Sequence, residues 1–369
     1  MGKCRNNAAI PLQIKELVRV WQKTSSQIAT TAFLLPHQQQ KLFTRFTRYH
    51  QSLATQPRQL RRRLTRKARR TLTEIAFMLT VGVALPVEAA TLLVNTNIPD
   101  VNPDGFCSLI EAIDNANADS AVHADCPAGS GADVIQLQSG SVHNIMAALS
   151  GLPAQGLPSI SSELLIEGNG ATLQVAAVPV DRVIDVAATG DLTLSEATIS
   201  GDSGSGTASN SPRIHNAGTL QLSNVSLLLN PETVAGIANT DSGTLTADHV
   251  LIDAPDNPYY SVPLNGFGIL NEGNITLTDS VVRNLETNYY ANANHSSVIN
   301  RGSMRLERSS ITGNFGHYQS RAVSGIDNAG YLLGNGLKVY RNGYYCYNCD
   351  GDPAGIVKRN GATLKLMDS

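Results

Sequence analysis

From about residue 183 onward the chain repeats one phrase: apolar–x–Asn–x–Gly–x–apolar–x–apolar. It reads Ile214-His-Asn216-Ala-Gly218-Thr-Leu220-Gln-Leu222, then Ile269-Leu-Asn271-Glu-Gly273-Asn-Ile275-Thr-Leu277. Val298-Ile-Asn300-Arg-Gly302-Ser-Met304-Arg-Leu306 and Ile326-Asp-Asn328-Ala-Gly330-Tyr-Leu332 follow. Ile237-Ala-Asn239 is a looser copy with two extra residues before Gly243, and Gly190-Asp-Leu192-Thr-Leu194 has only the second half. The final copy, Gly361-Ala-Thr-Leu364-Lys-Leu366, is shifted by one. The glycines at 190, 218, 243, 273, 302 and 330 are spaced by 28, 25, 30, 29 and 28 residues.

Alternating apolar and polar residues specify short strands with one buried face. Asn and Gly tolerate left-handed backbone, so Asn-x-Gly between strands predicts a tight turn. Another apolar position follows five residues on, as in Leu194→Ile199, Leu222→Leu227, Leu277→Val282 and Leu306→Ile311, and starts a second strand. A period near 28 without a helical pattern predicts one coil of a parallel β-helix, in which stacking supplies the core that one coil lacks. Leucine-rich repeats are the competing reading, and their L-x-x-L-x-L signature and helical back are missing here.

Ahead of the array, residues 91–95 read as a strand, and the pattern then changes to a helical one. Ser108 with Glu111 is a capping box, and Leu109, Ala112, Ile113 and Ala116 share one apolar face. Such a helix is suited to lie over the open end of a β-helix. The segment Cys107-Ser108-Leu109-Ile110-Glu111-Ala112-Ile113, continued by Asn115 and Asn117, resembles a family of exported bacterial proteins. In that family a "CSLREA" segment precedes a right-handed parallel β-helix of pectin-lyase-like shape. Ile166-Glu-Gly-Asn169-Gly170-Ala-Thr-Leu173 is similar to the family's first complete coil. The chain departs at Ile110, where the family has Arg. The resemblance implies an all-β, right-handed parallel β-helix with a short N-terminal capping helix, at the cell surface, outer membrane or outside the cell. It implies no activity.

Charge divides the chain. Residues 1–90 hold sixteen Lys/Arg against three Asp/Glu, whereas 91–369 hold twelve against twenty-seven, so a basic leader precedes an acidic body. Within the leader, eight positive charges in Arg58–Arg70 precede an eleven-residue apolar run, Ile75–Leu85, and the small-residue site Val87-Glu88-Ala89. That order is a secretory signal, and the run is too short to span a membrane. Cleavage after Ala89 or Ala90 is expected. Residues 1–57 read either as an extended signal region or as a misplaced start. The organisation is therefore 1–90 leader, 91–170 cap and first coil, and 171–369 repeats. The last phrase stops at Met367-Asp-Ser369 without a cap, which leaves either a truncated sequence or a partner over the last coil. An acidic body is poorly suited to nucleic acid and better matched to cations, neutral glycans or basic partners.

The candidate chemistry is sparse. Asp100-Val-Asn102-Pro-Asp104-Gly105 with Glu111 satisfies the calcium-loop spacing D-x-[DN]-x-[DN]-G-x₅-E, in which alternate oxygens converge on one ion. A turn before a capped helix accounts for the same residues, so both readings stand. In a β-helix, distance along the sequence becomes distance along the axis. Among the body's cysteines only Cys107–Cys126 and Cys346–Cys349 can therefore pair, and Cys346-x-x-Cys349 also fits a redox or half-zinc motif. Tyrosines recur with the coil period, and Tyr260, Tyr290, Tyr318 and Tyr345 form either a glycan-binding column or a stabilising stack. The Asn residues 216, 271, 300 and 328 read as a turn ladder.

Enzyme signatures are incomplete. Asn239-Thr-Asp241 resembles the first piece of the polygalacturonase signature, whose later pieces are missing. Asp253 and Asp256 read as a carboxylate pair for glycoside hydrolysis or as a solvated turn. The histidines offer no Ser/His/Asp set that the sequence can place. The expectation is a non-catalytic adhesin-like or glycan-interaction protein, with calcium as a candidate cofactor and a polysaccharide or cell-surface molecule as partner. The alternative is a polysaccharide lyase or glycoside hydrolase.

Overall fold

A computed structural model describes residues 89–146, 149, 155–175, 180, 182–201, 212–229, 235–254, 267–287, 296–317, 324–345 and 355–369. The basic and apolar stretches of the expected signal lie outside these residues.

The body is a parallel β-helix. The first strands, β1 (Thr91–Leu93) and β2 (Asp133–Gln136), pair in parallel and open a path of ten stacked strands that ends at Thr363–Met367. A second sheet stacks seven strands from Ile184–Val186 to Ile356–Lys358, and a third stacks three. Among the described residues every strand pair is parallel, as expected when each strand meets its counterpart one coil later. The alternation in the sequence sets the register. Leu192, Leu220, Leu245, Ile275, Met304, Leu332 and Leu364 occupy one column, each beside the next. The second apolar position forms another column of Ile199, Leu227, Ile252, Val282 and Ile311, all within 1% of full burial.

The Asn-x-Gly phrase works differently from the expected left-handed turn. The asparagines at 216, 239, 271, 300 and 328 and the glycines at 218, 243, 273, 302 and 330 do not have positive φ; in the shifted final copy Gly361 does, at 81°. The asparagines are a buried ladder instead. Asn216 Nδ2 donates to Asn239 Oδ1 at 2.7 Å, Asn239 to Asn271 at 2.9 Å, Asn271 to Asn300 at 2.8 Å and Asn300 to Asn328 at 2.7 Å. Each amide also donates to a backbone carbonyl of the following coil, as Asn300 does to Tyr331 O at 2.9 Å. The glycines are required by contact. A Cβ on Gly302 would lie 2.1 Å from Gly273 O, and one on Gly330 would lie 2.0 Å from Gly302 O. Left-handed backbone occurs at the other corner, in a column of Glu196, Asn224, His249, Asp279, Arg308 and Gly336 with φ between 47° and 62°.

Helix α1 (Leu109–Asn117) covers the first coil through Leu109, Ala112, Ile113 and Ala116. Its start is the expected capping box, with Ser108 Oγ accepting from Glu111 N and Glu111 Oε2 accepting from Ser108 N at 3.0 Å. Asn115 binds the following loop through His123 O, Cys126 O and Pro127 O, and Asn117 binds the coil at Ser159 O and Ser161 N. Ile110 is buried and belongs to the core.

Candidate functional site

Cys107 and Cys126 form a disulfide with Cα atoms 4.7 Å apart, which ties α1 to the loop that follows it. Cys346 and Cys349 lie outside the described residues, as do Tyr260, Tyr290 and Tyr318. Of Tyr345 the backbone alone is described, in the strand Gly343–Tyr345.

The side-chain oxygens of the Asp100–Glu111 segment take hydrogen bonds from within the segment. Glu111 is buried and its carboxylate accepts from Ser108 N; Asp104 Oδ1 accepts from Phe106 N at 2.8 Å; Asp100 Oδ2 accepts from Asn102 Nδ2 at 2.6 Å. Asp100, Asp104 and Glu111 do not gather. Among the described residues, Asp248, His249 and Asp279 are the one group of three such side chains whose ligand atoms all lie within 4.8 Å of one another.

In that group His249 Nδ1 lies 2.9 Å from Asp248 Oδ2. Arg308 closes on Asp279 with both its Nε and an Nη, at 2.9 and 2.6 Å. The Asp248 hydrogen bond raises the His249 pKa, and the Arg308 hydrogen bonds lower that of Asp279. The group comes together because His249, Asp279 and Arg308 share the left-handed corner on successive coils.

A second polar cluster lies on the seven-stranded sheet, where Asp185 and His215 are register partners. Asp185 Oδ1 is 2.8 Å from His215 Nδ1 and 2.8 Å from Arg182 Nη1, and Ser159 Oγ donates to Oδ2. Burial opposes the Asp185 charge, but His215, Ser159 and Arg182 outweigh it and hold the pKa below the ordinary carboxylate value. A nucleophilic triad needs the imidazole between hydroxyl and carboxylate. Here the carboxylate stands between them, so His215 cannot take the Ser159 proton.

Asp253 also differs from expectation. It is buried rather than solvated, and it pairs with a cation. Arg283 donates twice to its Oδ2, at 2.8 and 2.7 Å, and Asn284 donates to Oδ1. Asp256 lies outside the described residues. Asn239, the first residue of the polygalacturonase-like triplet, is buried in the ladder.

Four of the ion pairs share one rule. Arg283–Asp253, Arg308–Asp279, Arg301–Glu272 and Arg359–Asp327 are separated by 30, 29, 29 and 32 residues, one coil each. In these four, acid on one coil meets Arg on the next, which favours the native register. The sequence signal for this is an acid followed one period later by Arg, visible only once the period is known. No protein-family model, no curated protein and no solved structure matches the chain.

Proposed function

We propose that the protein is an exported β-helix, secreted or held at the cell surface, that binds a glycan or matrix partner without catalysis. One observation carries the non-catalytic reading: the Asp253 carboxylate is buried and both its oxygens are committed to Arg283 and Asn284. The disulfide supports export, since such bonds persist in oxidising compartments. The leader's charged and apolar segments and the resemblance at Cys107–Ile113 support the same reading.

The test is binding and turnover of the purified full chain against acidic and neutral polysaccharides. Retention on one glycan with no new reducing ends or unsaturated products is the expected result. Depolymerisation that survives extensive purification and is lost in Asp253→Asn would establish the lyase or hydrolase reading instead.

A further inference from the structure

The body begins at Ala90. Its carbonyl accepts from Val134 N at 2.8 Å, extending the β1–β2 ladder, and its side chain packs on the core, whereas Ala89 is exposed. Its nitrogen donates to Asp133 Oδ1 at 3.0 Å. Asp133 is an unusual partner because it is 1% exposed and already accepts from Ser130 N at 2.8 Å on the same oxygen. Its other oxygen, Oδ2, is buried and has no hydrogen-bond partner. Among the described residues no Lys, Arg or His forms an ion pair with it, and the nearby charge is another carboxylate, Asp119. Burial, and to a smaller degree Asp119, raise the Asp133 pKa against two opposing backbone N–H bonds. A buried carboxylate with an orphaned oxygen and no cation is costly, and such groups are ordinarily paired.

We propose that Ala90 is the N-terminal residue of the processed protein and that its α-ammonium is captured by Asp133. The inference rests on the export reading for the presence of a peptidase at this bond. Hydrolysis adds water across Ala89–Ala90: the carbonyl carbon of Ala89 gains the hydroxyl, the C–N bond breaks, and the departing nitrogen takes a proton. At neutral pH the freed amine binds a further proton. One amide donor thus becomes an ammonium with three, beside a carboxylate that has an oxygen to spare. A bond between two opposite charges replaces one between an amide and a carboxylate, in a buried setting where the gain is largest. The choice between the two sequence-level cleavage points follows. Cutting after Ala90 would discard both the nitrogen that meets Asp133 and the carbonyl that meets Val134.

The test uses the full chain with a site-specific protease sequence placed immediately before Ala90. Cutting should raise the melting temperature by roughly 5 °C in the otherwise native chain and leave the Asp133→Asn chain unshifted. A second readout needs no variant. The Ala90 amine of the cut, folded chain should acylate about tenfold more slowly than in urea, as expected if pairing raises its pKa by about one unit. Equal melting shifts with and without Asp133, or an amine as reactive folded as unfolded, overturns the capture. In the exported protein, N-terminal sequencing should read Ala90, and a chain beginning at Thr91 or later overturns the assignment. A product that keeps its leader overturns the export reading, while the protease-cut chain still decides the role of Asp133.

Discussion

The amide nitrogen of Asn271 lies 2.8 Å from the amide oxygen of Asn300, one coil away, with both side chains fully buried. The same bond recurs along the rod, so each asparagine inside the ladder both accepts and donates.

Asn271→Ala removes one rung and strands the Asn300 oxygen. An orphaned buried polar group costs about 1–3 kcal/mol. A loss of that size in urea unfolding is expected. Asn271→Asp should cost more at pH 7 than at pH 4, because a carboxylate cannot donate to the Asn300 oxygen.

The two turn corners should respond in opposite ways. Gly302→Ala places a Cβ 2.1 Å from Gly273 O and should destabilise the chain severely. Glu196→Gly relieves a left-handed residue at φ 50° and should be neutral or stabilising by about 1 kcal/mol. Comparing the two melting temperatures checks both claims.

Asp185 gives the acid limit of stability a named contributor. Its folded pKa is lower than its unfolded one, so its contribution is present above the unfolded value and lost as pH falls through the folded one. Melting below about pH 4 should therefore flatten in Asp185→Asn relative to the native chain. An unchanged slope would remove this assignment.

Glu111 is committed to the capping box. Thermal melts with excess calcium and with chelator should coincide. Glu111→Ala should lower stability by about 1 kcal/mol in both conditions. A calcium-dependent gain lost in Glu111→Gln would restore the loop as an ion site.

Reduction should loosen the cap first. The Cys107–Cys126 bond closes a loop of 19 residues, for which chain entropy gives about 3 kcal/mol. Hydrogen exchange in the reduced protein should accelerate across Leu109–Cys126 before it does so in the coils.

The repeat determined most of the fold by itself. A coil's strands and buried columns follow from alternation at Leu192, Leu220, Leu245 and Ile275, and the capping box follows from Ser108 and Glu111, because these are local patterns. The Asn-x-Gly phrase marked the right place with the wrong cause. The need for Gly302 comes from a backbone one coil below, and a contact between coils leaves no trace in local conformational preference. Pairs such as Asp253 with Arg283, Asp185 with His215, and Ala90 with Asp133 depend on register between segments 30 and 43 residues apart. The spacing of residues along the chain fixed what each coil is. Which charges meet, and which buried oxygen is left waiting, was decided by stacking alone.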